Sequence, residues 1–146
     1  MTTRQPDLNL TLADLIDRMT ISQIKETLLD GPRRDLFTQD LADAAEDVDG
    51  ILGAVPIAAS GRLIRLIMLM AQCNLHVWAN KDRMQQEPDA YTALLVRAQE
   101  LNGLRNHARN LMMEDFGEMS PAARRATFLE QDNRWYVPIL RGLGKK

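Results

Sequence analysis

Two long stretches of helical periodicity, separated by Glu87-Pro88-Asp89, do most to constrain how this chain folds. From Leu63 to Lys81 an apolar line of Leu63, Ile67, Met70 and Val77 passes through Asn74. Beyond the Pro88 turn a second line, Tyr91, Leu94, Leu95, Ala98, Met112, Met113 and Phe116, passes through Asn102, Arg105 and Arg109. At about 100° per residue these polar positions fall inside the arc that a helix turns toward its core. A buried arginine requires a counter-charge and a buried asparagine requires partners. The two stripes therefore specify a polar cluster within a helical hairpin.

Counting from Pro88 gives the cluster a register. Asn74 lies 14 residues before the turn and Asn102 lies 14 residues after it. In an antiparallel pair both stand roughly 20 Å from the loop at 1.5 Å per residue, where they can meet. Arg105 is one turn further on, level with Ala71, and Trp78 is one turn nearer the loop. Such an asparagine pair fixes register in many bundles, and that purely structural role stays open here. Arg105 finds no acid on the opposing helix at its own height. Its counter-ion must come from the first helix (Asp17 or Glu26), the second helix, another subunit or a bound anion, with Asp17 favoured. Arg109 repeats the problem, and both arginines could instead snorkel to solvent, Arg109 more readily than Arg105.

The remaining segments are also helical. Thr11 is placed to cap a first helix to about Leu29, with Asp14 at the capping-box position, ended by Asp30-Gly31-Pro32. The preceding ten residues read as an extended lead-in. A second helix spans roughly Arg33 to Leu52, burying Phe37, Leu41, Ala44, Val48 and Ile51. A third runs from Ser60 to about Gln86. Its first half, Leu63 to Met70, is apolar nearly all round, which predicts the central helix of the bundle. Asp89 opens the fourth helix, to about Glu118, and Ser120-Pro121 is expected to restart a short helix through Gln131. Trp135 to Leu140 forms an apolar tail that docks on its own bundle or on a neighbouring copy. The expected fold is one all-α domain over residues 1–146, an antiparallel bundle of four main helices plus a short C-terminal helix and docking tail.

Composition narrows the function classes. The 146 residues carry 18 basic and 20 acidic side chains, a net charge of −2, which gives no strong nucleic-acid or membrane signal. A single cysteine, Cys73, fits a reducing compartment, and no stretch is apolar enough for a membrane span, so a cytoplasmic location is expected. Cys73 reads as a small core residue. His76 and His107 lack a Glu three residues earlier, which argues against a di-iron bundle. Met68, Met70, Met112 and Met113 sit at core spacing. Neither a phosphate loop nor a nucleophile elbow or zinc spacing is present, and no cofactor is implied. The acids Asp40, Asp43, Glu46, Asp47 and Asp49 include a Glu-x-x-Asp pair like half of the Mg²⁺ signature of all-α nucleotide pyrophosphohydrolases. The matching pair is missing, because Glu114, Asp115 and Glu118 have the wrong spacing. A solvated acidic face is the simpler reading.

Three short motifs occur in order: Leu15-Ile16-Asp17-Arg18-Met19-Thr20-Ile21 followed by Lys25, then Asn74-Leu75-His76-Val77-Trp78, then Leu101-Asn102-Gly103-Leu104-Arg105-Asn106. Together they resemble small all-helical proteins of tailed-phage genomes and bacterial surface-polysaccharide gene clusters. The resemblance covers about a fifth of the chain and carries over no activity. Where those proteins often have an acid shortly after the Trp, this chain reads Ala79-Asn80-Lys81-Asp82. What the likeness implies is that Asp17, Thr20 and Lys25 lie beside the Asn74–Arg105 cluster. The resulting expectation is a non-enzymatic accessory or assembly protein, phage-related and homo-oligomeric, placed in host cytoplasm or virion. It would bind a protein partner or small anionic ligand through Asp17, Asn74, Trp78, Asn102, Arg105 and Asn106. The alternative is a Mg²⁺-dependent nucleotide pyrophosphohydrolase.

Overall fold

The computed structural model describes residues 10–127, 129 and 134–144. The helices are α1 (Leu12–Leu28), α2 (Gly31–Ala54), α3 (Gly61–Gln86), α4 (Tyr91–Phe116) and α5 (Val137–Gly142), with a 3₁₀ turn over Pro88–Ala90. The protein is all-α, with four long helices, a short C-terminal helix and no strand among the described residues. The expected lead-in and the Lys-Lys end fall outside those residues, apart from Leu10.

Local chemistry sets the helix ends. The Thr11 hydroxyl accepts from the Asp14 amide at 3.1 Å, and Ser60 accepts from Leu63 in the same way at 3.1 Å. Asp14 does not close the expected capping box, because its carboxylate turns to Arg109. Glu118 fills the gap from the far end of α4. Its carboxylate accepts from the amides of Leu12 at 2.6 Å and Ala13 at 3.2 Å, placing negative charge on the α1 N-terminus. Glu118 reaches that position because α4 stops at Gly117, whose φ of +73° is left-handed and suits a residue without a Cβ. The Glu118 amide then bonds Met113 O at 2.8 Å and the Gly117 amide bonds Glu114 O at 3.1 Å, the paired bonds of a Schellman end.

Packing follows the hairpin. Helices α3 and α4 lie antiparallel, and α1 rests on both. Ala13, Leu66, Met70, Ala108, Leu111, Met112 and Met113 fill the space where the three meet. Leu143, just after α5, closes this cluster, while Tyr136 packs on Cys73, Leu101 and Leu104 in a second one. The C-terminal tail thus docks on its own bundle. Arg65 holds it there by donating to Gly142 O at 3.0 Å, and Arg62 donates to Leu143 O, so two cations sit on the α5 carbonyl end.

Two expectations about the helices require correction. Among the described helices α2 packs on α1 alone, and its backbone comes near neither α3 nor α4. Only Ala44 and Asp47 of α2 are buried. The start of α3 is not central either, since Ile64 is 55% and Met68 61% exposed. With α2 held away on α1, no described element covers that side of α3, and its continuous apolar run leaves Ile64 and Met68 exposed.

The chain after α4 departs furthest from expectation. Ser120 nucleates a single turn, its hydroxyl and carbonyl accepting from the Ala123 amide, but the expected helix does not follow over the described residues. Its continuation through Phe128 and residues 130–133 lies outside them. From Gly117 the chain instead runs back along α4 as an irregular return segment. Side chains of α4 take its carbonyls: Arg109 bonds Ala123 O at 2.8 Å, Asn110 bonds Arg125 O at 2.9 Å and Asn106 bonds Ala126 O at 3.1 Å. Tertiary hydrogen bonds thereby displace the helical ones that the local sequence favours.

Candidate functional site

The polar residues that interrupt the α4 stripe divide into two groups. The first group is structural. Arg109 is 4% exposed, and its Nε donates to the Asp14 carboxylate at 2.6 Å. It does not snorkel, because α1 supplies an acid directly opposite it. Asn110 bonds the return segment twice, through Arg125 O and, at 3.1 Å, the Arg125 amide. Arg125 returns the contact from outside, 3.4 Å from Asp14 and 3.7 Å from Asp17. Burial alone would raise the Asp14 pKa. Hydrogen bonds from Arg109 and Thr11, with the charges of Arg109 and Arg125, outweigh it and hold the carboxyl below its ordinary range.

The second group begins one turn away. Asn74 of α3 is buried, and its amide nitrogen donates to the Asp17 carboxylate at 2.9 Å and to Thr20 Oγ1 at 2.7 Å. The Thr20 hydroxyl in turn donates to Asp17 O at 2.7 Å, so α1 presents two fixed acceptors to α3. Asn74 Oδ1 then accepts from Arg105 at 3.3 Å. Asp17 therefore reaches Arg105 through Asn74 and not by a direct ion pair. Arg105 also donates to Asn106 Oδ1 at 3.5 Å, a contact at the limit of a hydrogen bond. Its Nε is buried without a partner.

Asn102 and Asn74 do not pair. Asn74 turns to α1, where Asp17 offers a charged acceptor that an amide cannot match. Asn102 makes no side-chain hydrogen bond among the described residues and lines a cavity of about 670 Å³. Arg105 and Asn106 line the same cavity, together with Gln99, Glu100, Thr127 and Arg134. Gly103 forms part of its wall for a steric reason. A Cβ there would stand 2.2 Å from Thr127 O and 2.9 Å from Leu129 Cδ2, so only glycine lets the return segment cross α4 so closely.

Trp78 stands apart from this arrangement. Its ring faces the Lys25 ammonium, 5.9 Å from the ring centre, and the same ammonium lies 4.8 Å from the centre of Phe37. Lys25 thus links α1, α2 and α3, and the contacts of Trp78 lead to it and not to Arg105. Of the six expected site residues, Asp17, Asn74, Arg105 and Asn106 form one hydrogen-bonded chain. Asn102 shares their cavity, and Trp78 joins neither. Sequence reasoning passed over Asn110 and Arg125. Asn110 lies four positions after Asn106 on the same helical face, a signal present in the sequence, whereas nothing local marks Arg125.

The other candidate chemistry is dispersed. Burial pushes the Cys73 thiol up to about 11, which keeps it protonated and inert. Asp40 is bonded by Arg18 and by Ser22 at 2.6 Å, and the Arg18 bond above all holds its pKa down. Glu114 and Asp115 pair with Arg124 and Arg62 at 2.7 and 2.8 Å. The acids of α2 and those of α4 lie on helices that do not approach one another, and no group of three His, Cys, Asp or Glu side chains suited to a metal occurs among the described residues. Nor is any helix among them long and apolar enough to cross a membrane. Comparison of the chain with protein-family models, curated proteins and solved structures found no match.

Proposed function

We propose that this chain is a non-enzymatic accessory protein that binds a small anionic ligand in the cavity beside Arg105. One observation carries the reading. Arg105 is held from behind by Asn74, itself fixed by Asp17 and Thr20, while Asn102 and Asn106 stand beside it on the cavity wall. A guanidinium that is held in place and has N–H groups left over is a preorganised oxyanion receptor. Glu100 on the same wall adds an acceptor, which suits a ligand carrying a hydroxyl or amine as well as its acid.

The resemblance to phage and polysaccharide-cluster proteins supports an accessory role. Self-association draws support from the exposed apolar stripe of Ile64, Met68 and Leu75 on α3. A monomeric mass at micromolar concentration would count against it. The ligand reading is tested by thermal unfolding with phosphate and with succinate. Either anion at about 100 times its Kd raises stability by about 2.7 kcal/mol. The shift should disappear in Arg105→Met and survive in Arg34→Gln, an exposed residue of α2 that does not line the cavity. Absence of any shift with both anions, or a shift kept in Arg105→Met, would overturn the reading. Hydrolysis of nucleoside triphosphates with Mg²⁺, abolished by Glu46→Ala, would overturn the non-enzymatic assignment.

A further inference from the structure

A second cavity, of about 470 Å³, lies near the Pro88 turn, between the C-terminal half of α3 and the N-terminal half of α4. Its wall is formed by His76, Asn80 and Arg83 of α3, Arg97 and Leu101 of α4, and Trp135 of the tail. Among the described residues it shares none with the cavity at Arg105.

Three features of this wall are unaccounted for by the fold. Asn80 is only 7% exposed, yet its amide makes no hydrogen bond among the described residues. Its polar atoms are not fully enclosed but open onto the cavity, where they offer a donor and an acceptor to a polar group. Arg97 lies flat on Trp135, its guanidinium carbon 4.3 Å from the ring centre, and has no carboxylate partner among the described residues. That stacking fixes the plane of the guanidinium and leaves its N–H edge available. Finally, among the described residues the charged groups on the wall, Arg83 and Arg97, are both cations, and no acid lines it. Arg83 does pair with Glu87 at 2.8 Å, but both side chains are about half exposed, so this contact is weak and screened.

Apart from His76, the rest of the described wall is apolar. Ala93, Leu94 and Leu101 face the cavity, and Trp135 is held edge-on to Tyr136 with ring centres 5.6 Å apart. A site with a cationic, amide-bearing end and an apolar floor matches an amphipathic anion, and the volume suits one small molecule. We infer that this cavity is a second binding site, for a small organic oxyanion carried on an apolar, ring-sized body. Arg97 takes the oxyanion, Asn80 orients it, and Leu94, Leu101 and Trp135 hold the body.

Isothermal titration calorimetry with phenyl phosphate, benzoate, inorganic phosphate and phenol tests the inference. Phenyl phosphate or benzoate should bind saturably, at least about tenfold more tightly than inorganic phosphate or phenol, because neither half of the ligand alone satisfies the site. Arg97→Gln is an exposed change that leaves the fold intact, and it should weaken binding by at least about tenfold. Asn80→Asp keeps the shape of the side chain, adds a repelling charge and should weaken binding as much. Arg105→Met should leave it unchanged. Any one of three results overturns the inference: no saturable heat up to about 10 mM ligand, binding undiminished in folded Arg97→Gln, or binding lost in Arg105→Met and kept in Arg97→Gln. The last result would move the ligand to the Arg105 cavity and support that site instead.

Discussion

The two halves of α4 follow one helix and lead different lives. From Gly103 onward, Gly103, Leu104 and every residue from Ala108 to Met113 are buried, enclosed by α1, α3 and the return segment. Before Gly103 only Leu94 and Leu101 are buried, while Tyr91, Leu95 and Val96 stand in solvent. The fully buried polar residues of the enclosed half are held by protein: Arg109 by Asp14 and Ala123 O, Asn110 by the Arg125 backbone. Polar residues of the open half line cavities, with Asn102 on one side and Arg97 on the other. Arg105 stands where the two regimes meet. Polar groups in one helix stripe are therefore not one site; their neighbours decide which become structure and which face a ligand.

The enclosed half should be the sensitive one. Arg109→Met removes the partner of Asp14 and one anchor of the return segment, and should cost about 3–5 kcal/mol in urea unfolding. Asn74→Ala strips partners from Asp17, Thr20 and Arg105 together and should cost about 1–3 kcal/mol. Gly103→Ala gains about 1 kcal/mol of helix propensity but drives its methyl into Thr127 O, a backbone atom that must move. A net loss of about 1–2 kcal/mol is expected, with faster amide exchange confined to the return segment. The depressed pKa of Asp14 gives stability that is full above the ordinary carboxylate value of about 3.9 and is lost as pH falls through the lower, folded-state value. Acid titration of stability should therefore be shallower in Arg109→Met. Leu95→Gln, in the open half, should change stability by no more than about 0.5 kcal/mol. A Leu95 effect as large as that of Arg109 would erase the distinction.

Much of the fold was readable because its signals are local. Thr11 and Ser60 cap helices by side-chain hydroxyls, Asp30-Gly31-Pro32 and Glu87-Pro88-Asp89 break them, and the 3.6-residue period locates the faces. Observed ends of the four long helices fall within about two residues of those expected. The return segment was not readable, because Ser120-Pro121 is a sound helix start whose continuation loses to side chains from α4. The pairing of Asn74 with Asn102 failed for a similar reason. Matching heights showed that they could meet, but Asp17, on a third helix, is the stronger acceptor. Continuous apolarity in α3 predicted burial all round. It left Ile64 and Met68 exposed, since apolar character sets a preference and only packed neighbours fulfil it.

The division of roles along α4 is most directly tested by comparing two arginines one turn apart. Urea unfolding of Arg105→Met and Arg109→Met, each against the parent chain without added anion, measures what each guanidinium contributes to the fold. The predicted loss is about 3–5 kcal/mol for Arg109→Met and no more than about 1.5 kcal/mol for Arg105→Met. Equal losses would contradict the account, making Arg105 another structural lock and leaving its cavity without a receptor.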